Sequence, residues 1–400
     1  MTPPRHPNRM PAAPWAAADR TATDASRAGN APGAEPPAPD PSALSAALRG
    51  GDPAHRLAAL CHADADPARR AALARAVRAT PPPTFTSWDA RPPEHTPADP
   101  RTPRAPAGTP ARLEAMAIRT ALMGERHGGA HDRSALAGIL ARDVAPLLIA
   151  PAHPTDRRSL LTCAAQLTLL LAGRTDETGH PALARHYYDI ALGLAHAAGE
   201  TASYTIILRC LSVQTHQLGD HHRAVALSEE AVDLAGAAVP HAVRAFLHAG
   251  RAVVRAGAGQ RREAAADLLT AEQHLTRAHG PEGPFTSYPE TALRYQRAEM
   301  LSHLGEHKSA LVELENSLAC RPADHHKARA LLHARLAHTL LALHEIDGAV
   351  DHSFQALRHH RQLATGSAHG MLPRLARRFQ PYQSNPHVRN FRESLRATAR

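Results

Sequence analysis

A chain of 400 residues with 43% hydrophobic content can bury more than one core. Aromatic residues are only 4% of the chain, and its four cysteines (Cys61, Cys163, Cys210, Cys320) form no C-x-x-C pair; tightly packed helices are favoured over sheet, and neither a disulfide framework nor a cysteine zinc site is indicated. The formal charge of +9 invites an anionic partner, yet residues 358–400 carry nine arginines against one acid, Glu393, so eight of the nine charges sit in that tail.

Residues 1–40 are a Pro/Ala-rich arm, expected to be disordered, and 22 of the 34 prolines fall before residue 111. Residues 41–80 combine Asp-Pro steps with short Ala/Leu/Arg runs, the marks of short helices with proline in the first turn. Their apolar content is mostly alanine, so a domain stable by itself is not expected there. Residues 81–110 form a Pro-rich linker, and 111–155 are expected to hold a pair of helices.

From 156 to 363 an internal repeat emerges. Gly179, Ala184 and Ala191 are spaced 5 and 7 apart, and the spacing recurs at Gly219, Ala224, Ala231; at Gly259, Ala264, Ala271; at Gly305, Ala310, Ser317; and at His344, Ala349, Ala356. Glycine ends one helix in a left-handed conformation, and the next starts within a few residues. Small residues two turns apart then form a stripe that lets a neighbour approach, while Tyr187, Tyr188, Leu227, Leu234, Leu268, Leu269, Leu311, Leu318, Phe354 and Leu357 fill the flanks. One hairpin cannot bury such a stripe, so the hairpins must stack.

With its Leu218-Gly219-Asp220 and Leu304-Gly305-Glu306 turns, its small residues Ser212, Ala252, Ala298 and Ala337, and Pro322 closing a repeat, this region resembles the tetratricopeptide repeat family. The spacing between sets, 40, 40, 46 and 39 residues, exceeds that family's usual period of about 34 residues. The resemblance implies an all-α fold: a right-handed α-solenoid of about five helical hairpins. Segments 125–148, 180–200 and 386–397 also look like the C-terminal sensor half of actinomycete regulators that join a helix-turn-helix domain to such repeats. That likeness implies a regulatory role, although residues 1–110 lack the Q-x-x-L-A and G-x-S-x-x-x-x-S-x-x-E pattern of the DNA-binding half.

The resemblance further implies a concave groove for a protein or peptide ligand. Its inner-face positions map to Arg209, Val213 and His216; Phe246 and Val253; Tyr295, Glu299 and Ser302; and Leu331, Ala334 and His338. Residues 364–400 are expected to be basic capping helices, with Val388, Phe391 and Leu395 on an apolar stripe and Arg389, Arg392, Arg396 and Arg400 beside it as candidate nucleic-acid contacts. Nucleic acid is the alternative partner.

Motifs for nucleotide binding or hydrolysis are absent, and His344-Glu345 lacks the second histidine of H-E-x-x-H because Gly348 stands there. The expectation is no enzyme, no cofactor and no metal, with the doublets His221-His222, His325-His326 and His359-His360 facing solvent. No stretch of 18 apolar residues occurs. A cytoplasmic location without membrane contact is expected; the oligomeric state is not legible.

Overall fold

The computed structural model describes residues 41–80, 105–129, 132–237, 239–279, 285–363 and 371–398. The arm expected over 1–40 and most of the linker expected over 81–110 lie outside the described residues. Among the described residues the fold is all-helical, with no strand.

Helices α1 (Pro41–Arg49), α2 (Pro53–Ala65) and α3 (Pro67–Ala79) start where the Asp-Pro steps place them. Asp52 accepts from the backbone N–H of His55, and Asp66 from that of Ala68, so each carboxylate satisfies a donor that the first turn leaves free. The alanine-rich segment finds its partner outside itself. Leu48, Leu57, Leu60 and Leu73 are buried in one core with residues of the helices that follow.

Next come α4 (Thr109–His127), α5 (Arg133–Ile139), a π-helical turn (Leu140–Val144) and α6 (Ala145–Ile149). The long repeats follow as five hairpins: α7 (Pro154–Glu177) with α8 (Pro181–Ala198), α9 (Thr201–Gln217) with α10 (His221–Ala235), α11 (His241–Gly257) with α12 (Arg261–Thr276), α13 (Glu290–His303) with α14 (His307–Ala319), and α15 (His326–Ala342) with α16 (Ile346–Arg361). Each hairpin packs on the next, and the first helices α9, α11 and α13 pack on one another in order. Helices α17 (Met371–Arg378) and α18 (Pro386–Thr398) close the chain against α16.

Ten small residues from the five sets, Ala184 through Ala356, are all 0–1% exposed. Ser317, the one hydroxyl among them, donates to the carbonyl of Thr291 on the neighbouring helix at 2.8 Å. The four glycines of the skeleton have positive φ (79° to 93°), and so does His344 (62°), the one non-glycine residue so placed among the described residues. Every turn carries the same capping bond, from the N–H after that residue to a carbonyl five back: His180 to Thr175, Asp220 to Thr215, Gln260 to Arg255, Glu306 to Leu301 and Glu345 to Leu340, at 2.9–3.2 Å.

The flank residues behave as expected except Leu269, which is 56% exposed because it falls on the outer side of α12. The segment 111–155, expected to hold a pair of helices, holds α4, α5, the π-helical turn and α6, with α4 and α5 facing each other across a cleft lined by Met116, Thr120, Met123, Leu136 and Ile139. Helix α4 also lies along α7 and reaches α15 near the far end of the stack, where Arg126 pairs with Asp324 at 3.2 Å.

A buried polar knot locks the N-terminal helices to the first hairpin. Asp64 takes two hydrogen bonds from Arg133 Nη2, at 2.6 and 2.8 Å, and a third from the Tyr187 hydroxyl at 2.9 Å. Arg133 also donates to Thr175 at 3.1 Å. Nearby, Arg56 pairs with Asp189 at 2.7 Å, and Pro53 occupies the space left by the missing side chain of Gly193. Truncating one member of the Asp64–Arg133 pair would strand a buried charge, at a cost of about 3–5 kcal/mol.

Candidate partner-binding face

The first helices present side chains to one another at spacings of four and three residues. On α9, Arg209, Val213 and His216 lie on one side; on α11, Phe246 and Val253 alternate with two glycines, Gly250 and Gly257, two turns apart. Those glycines admit the α9 side chains. A Cβ at position 250 would sit 2.5 Å from Arg209 Nε, and one at 257 only 2.1 Å from His216 Cε1.

Arg209 therefore lies flat across the helix pair, its guanidinium carbon 4.0 Å from the centre of the Phe246 ring. Phe246 in turn meets Tyr288 edge-to-face with centroids 5.5 Å apart. On α13 and α15, Glu299 is 8% exposed and pairs with Arg335 at 2.6 Å. Burial raises the Glu299 carboxyl while Arg335 opposes that shift. Tyr295, hydrogen-bonded to Arg335, is pushed up to about 12, by burial first and then by the Glu299 charge, and stays a neutral phenol.

His216 forms the centre of an imidazole cluster, with Nδ1 3.0 Å from His221 Nδ1 and Nε2 3.3 Å from His303 Nε2. Burial, then the neighbouring His303 and His221, lower His216 to about 4. His338 accepts from Arg378 of the capping helix at 2.8 Å, and burial followed by Arg378 brings it down to about 4 as well. Both rings are neutral at physiological pH.

The structure thus brings Arg209, Phe246, Tyr295 and Glu299 into one neighbourhood, joined by Tyr288 and Arg335. Val253 (7% exposed) and Ala334 (3% exposed) offer only apolar contacts and sit in the core, where Tyr288 (7% exposed) packs as well. Val213, Ser302 and Leu331 are half-buried. Tyr288, Arg335 and the glycine pair escaped the sequence reading. The signal for Tyr288 was the 46-residue interval between the third and fourth sets, six longer than the preceding interval, which places an insertion before α13.

Of the doublets expected to face solvent, His221-His222 is exposed, with His221 also 3.0 Å from His216, whereas His325, His326 and His359 are half-buried, His326 pairing with His359 at 3.1 Å, and His360 is 9% exposed. Among the described residues no group of three His, Cys, Asp or Glu side chains is placed to hold a metal ion.

In the tail, Val388 and Phe391 are fully buried against the last hairpin, as Phe354 and Phe379 meet Phe391 edge-on. Arg389 caps the preceding turn by donating to the carbonyls of Gln383 and Ser384 at 3.2 and 2.9 Å. Arg392 is half-buried and Arg396 exposed, while Arg400 lies outside the described residues. In residues 41–80, Arg56, Arg69 and Arg70 are held by Asp189, Asp66 and the carbonyl of Asp64. No helix among the described residues is long and apolar enough to cross a membrane. Compared with known proteins, the chain matches no family model and no curated protein.

Proposed function

We propose that the chain is a non-enzymatic regulatory scaffold, a right-handed tetratricopeptide-like superhelix that receives a peptide or protein partner along the face lined by α9, α11, α13 and α15. Bacterial transcriptional or developmental regulation in the cytoplasm is the setting that its resemblance to actinomycete sensor regions favours. One observation carries the reading: Arg209, Phe246, Tyr288, Tyr295, Glu299 and Arg335, drawn from four successive first helices and one insertion, form a contiguous polar and aromatic cluster instead of separate hydrophobic plugs.

Such a mixture of rigid aromatic faces and charged forks suits side-chain recognition by an extended segment or a helix. Partner entry would change the spacing of the stacked first helices. Because α4 touches both α7 and α15, a change of curvature would be transmitted to the N-terminal helices.

Affinity capture from the native host tests the proposal, comparing the natural chain with Arg209→Glu and Tyr295→Ala. Both variants are expected to lose the same partner while retaining the helical circular-dichroism signal. Identical captured sets from all three would remove the groove assignment.

A further inference from the structure

Imidazoles meet in pairs along the repeat, and most of those that join two helices point head-on at each other. In His241–His274, His326–His359 and His333–His352 the facing Nδ1 atoms are 2.9, 3.1 and 2.9 Å apart, and the ring centres 5.1, 5.4 and 5.2 Å. Each of these is two rings sharing one proton.

The pair of His216 on α9 and His303 on α13 is different. Its Nε2 atoms are farther apart, at 3.3 Å, yet its ring centres are closer, at 5.0 Å, and the planes stand 82° to each other. Both lone pairs are thus turned off the line joining the nitrogens, which suits two rings that address a third atom. A hydrogen bond from a ring nitrogen prefers a separation below about 3.2 Å, whereas two nitrogens about 2.0–2.1 Å from one tetrahedral zinc ion lie about 3.3–3.4 Å apart.

The surroundings prepare His216 as a ligand. Its Nδ1 is 3.0 Å from His221 Nδ1, a hydrogen-bond distance, so a proton held there leaves Nε2 bare toward His303. Gly257 clears the way past α11, since a Cβ at that position would sit 2.1 Å from His216 Cε1 and 3.0 Å from Nε2. Burial lowers both rings from the ordinary histidine value, which keeps them neutral and able to donate a lone pair. His303 is exposed, so the pair opens to solvent on one side.

We infer that His216 and His303 form a two-histidine site for a tetrahedral divalent ion such as zinc, held by their Nε2 atoms, with His221 as a positioning residue. Among the described residues no third His, Cys, Asp or Glu joins them, so water fills the two remaining positions. The ligands lie 87 residues apart, and no local motif announces them. The site does not depend on the peptide-binding reading.

Isothermal titration of the full chain with zinc tests it, with cobalt(II) as the spectroscopic probe. Because the chain has 29 histidines, the readout is the difference between variants. The natural chain should take up one zinc ion in a step that His303→Gln, at an exposed position, abolishes. His221→Ala should weaken that step about tenfold or more, as loss of a ligand's hydrogen-bond partner does. His359→Gln, which breaks a head-on pair, should leave it unchanged. Cobalt should show the intense visible bands of tetrahedral coordination, and zinc should raise the melting temperature of the natural chain but not of His216→Gln. A step that survives His303→Gln, a loss of equal size in His359→Gln, or an octahedral cobalt spectrum would each overturn the assignment. None of these results bears on partner capture, whose dependence on Tyr295 is read separately.

Discussion

At the scale of single residues, His344 is the informative exception in the repeat. Four turns use glycine at the left-handed position, and the fifth places an imidazole there at φ 62°. An L side chain in that region brings its Cβ against the following carbonyl, at about 1–2 kcal/mol, partly offset by the smaller entropy of the unfolded chain. His344→Gly is therefore expected to raise the urea midpoint or leave it unchanged, and His344→Val, β-branched, to lower it. A drop with glycine would show that the imidazole is held by contacts that outweigh the strain.

The buried histidines set the response to acid. His216 titrates at about 4 and His333 at about 3, both driven down first by burial, against an ordinary value near 6.5. Between about pH 6.5 and pH 4 the unfolded chain binds protons that the folded chain refuses, so stability falls as pH falls through that window and is flat above it. Urea midpoints at about pH 7 and about pH 5 should show this loss, and His333→Gln should reduce it. A midpoint independent of pH would refute the assignment of neutral rings.

At the scale of elements, α9 and α11 approach through glycines spaced to accept Arg209 and His216. Gly257→Ala gains helix propensity, worth about 0.5–1 kcal/mol, but it puts a methyl group 2.1 Å from His216 Cε1, well inside contact distance. The expected net result is destabilisation by about 1–2 kcal/mol, measured by urea unfolding, together with loss of the His216–His303 contact. A stabilised variant would mean that the ring moves freely.

The repeat itself was legible because its signals are local and chemical. A left-handed turn demands glycine, and a close helix approach demands alanine, so residues such as Gly219 and Ala224 announce both the turn and the stripe without knowledge of any neighbour. Leu269 was misplaced for the complementary reason: apolar character alone does not say which side of α12 a residue occupies. The role of α2 was also hidden. Asp64 meets Arg133 and Tyr187 across 69 and 123 residues, and nothing local to Asp64 records those partners.

At the scale of the whole molecule, the sequence led to stacked hairpins but not to the contacts that join distant parts of the stack. Helix α4 reaches α15, and Lys327 pairs with Glu177 at 2.5 Å, so the beginning and end of the repeat region are tied. The site was legible only in part. Arg209, Phe246, Tyr295 and Glu299 came from positions on a helical face, whereas Tyr288 is delivered by an insertion whose path is not periodic.

Site-specific photo-crosslinking in the native host tests the central claim, that the first-helix face is the receptive surface, most directly. A photoreactive residue replaces Val213 or Ser302 on that face, and in parallel Leu269 or Val312, both more than half exposed on second helices. The account predicts a discrete adduct from positions 213 and 302 that Arg209→Glu abolishes, and none from 269 or 312. Adducts confined to 269 and 312, or unchanged by Arg209→Glu, would contradict it.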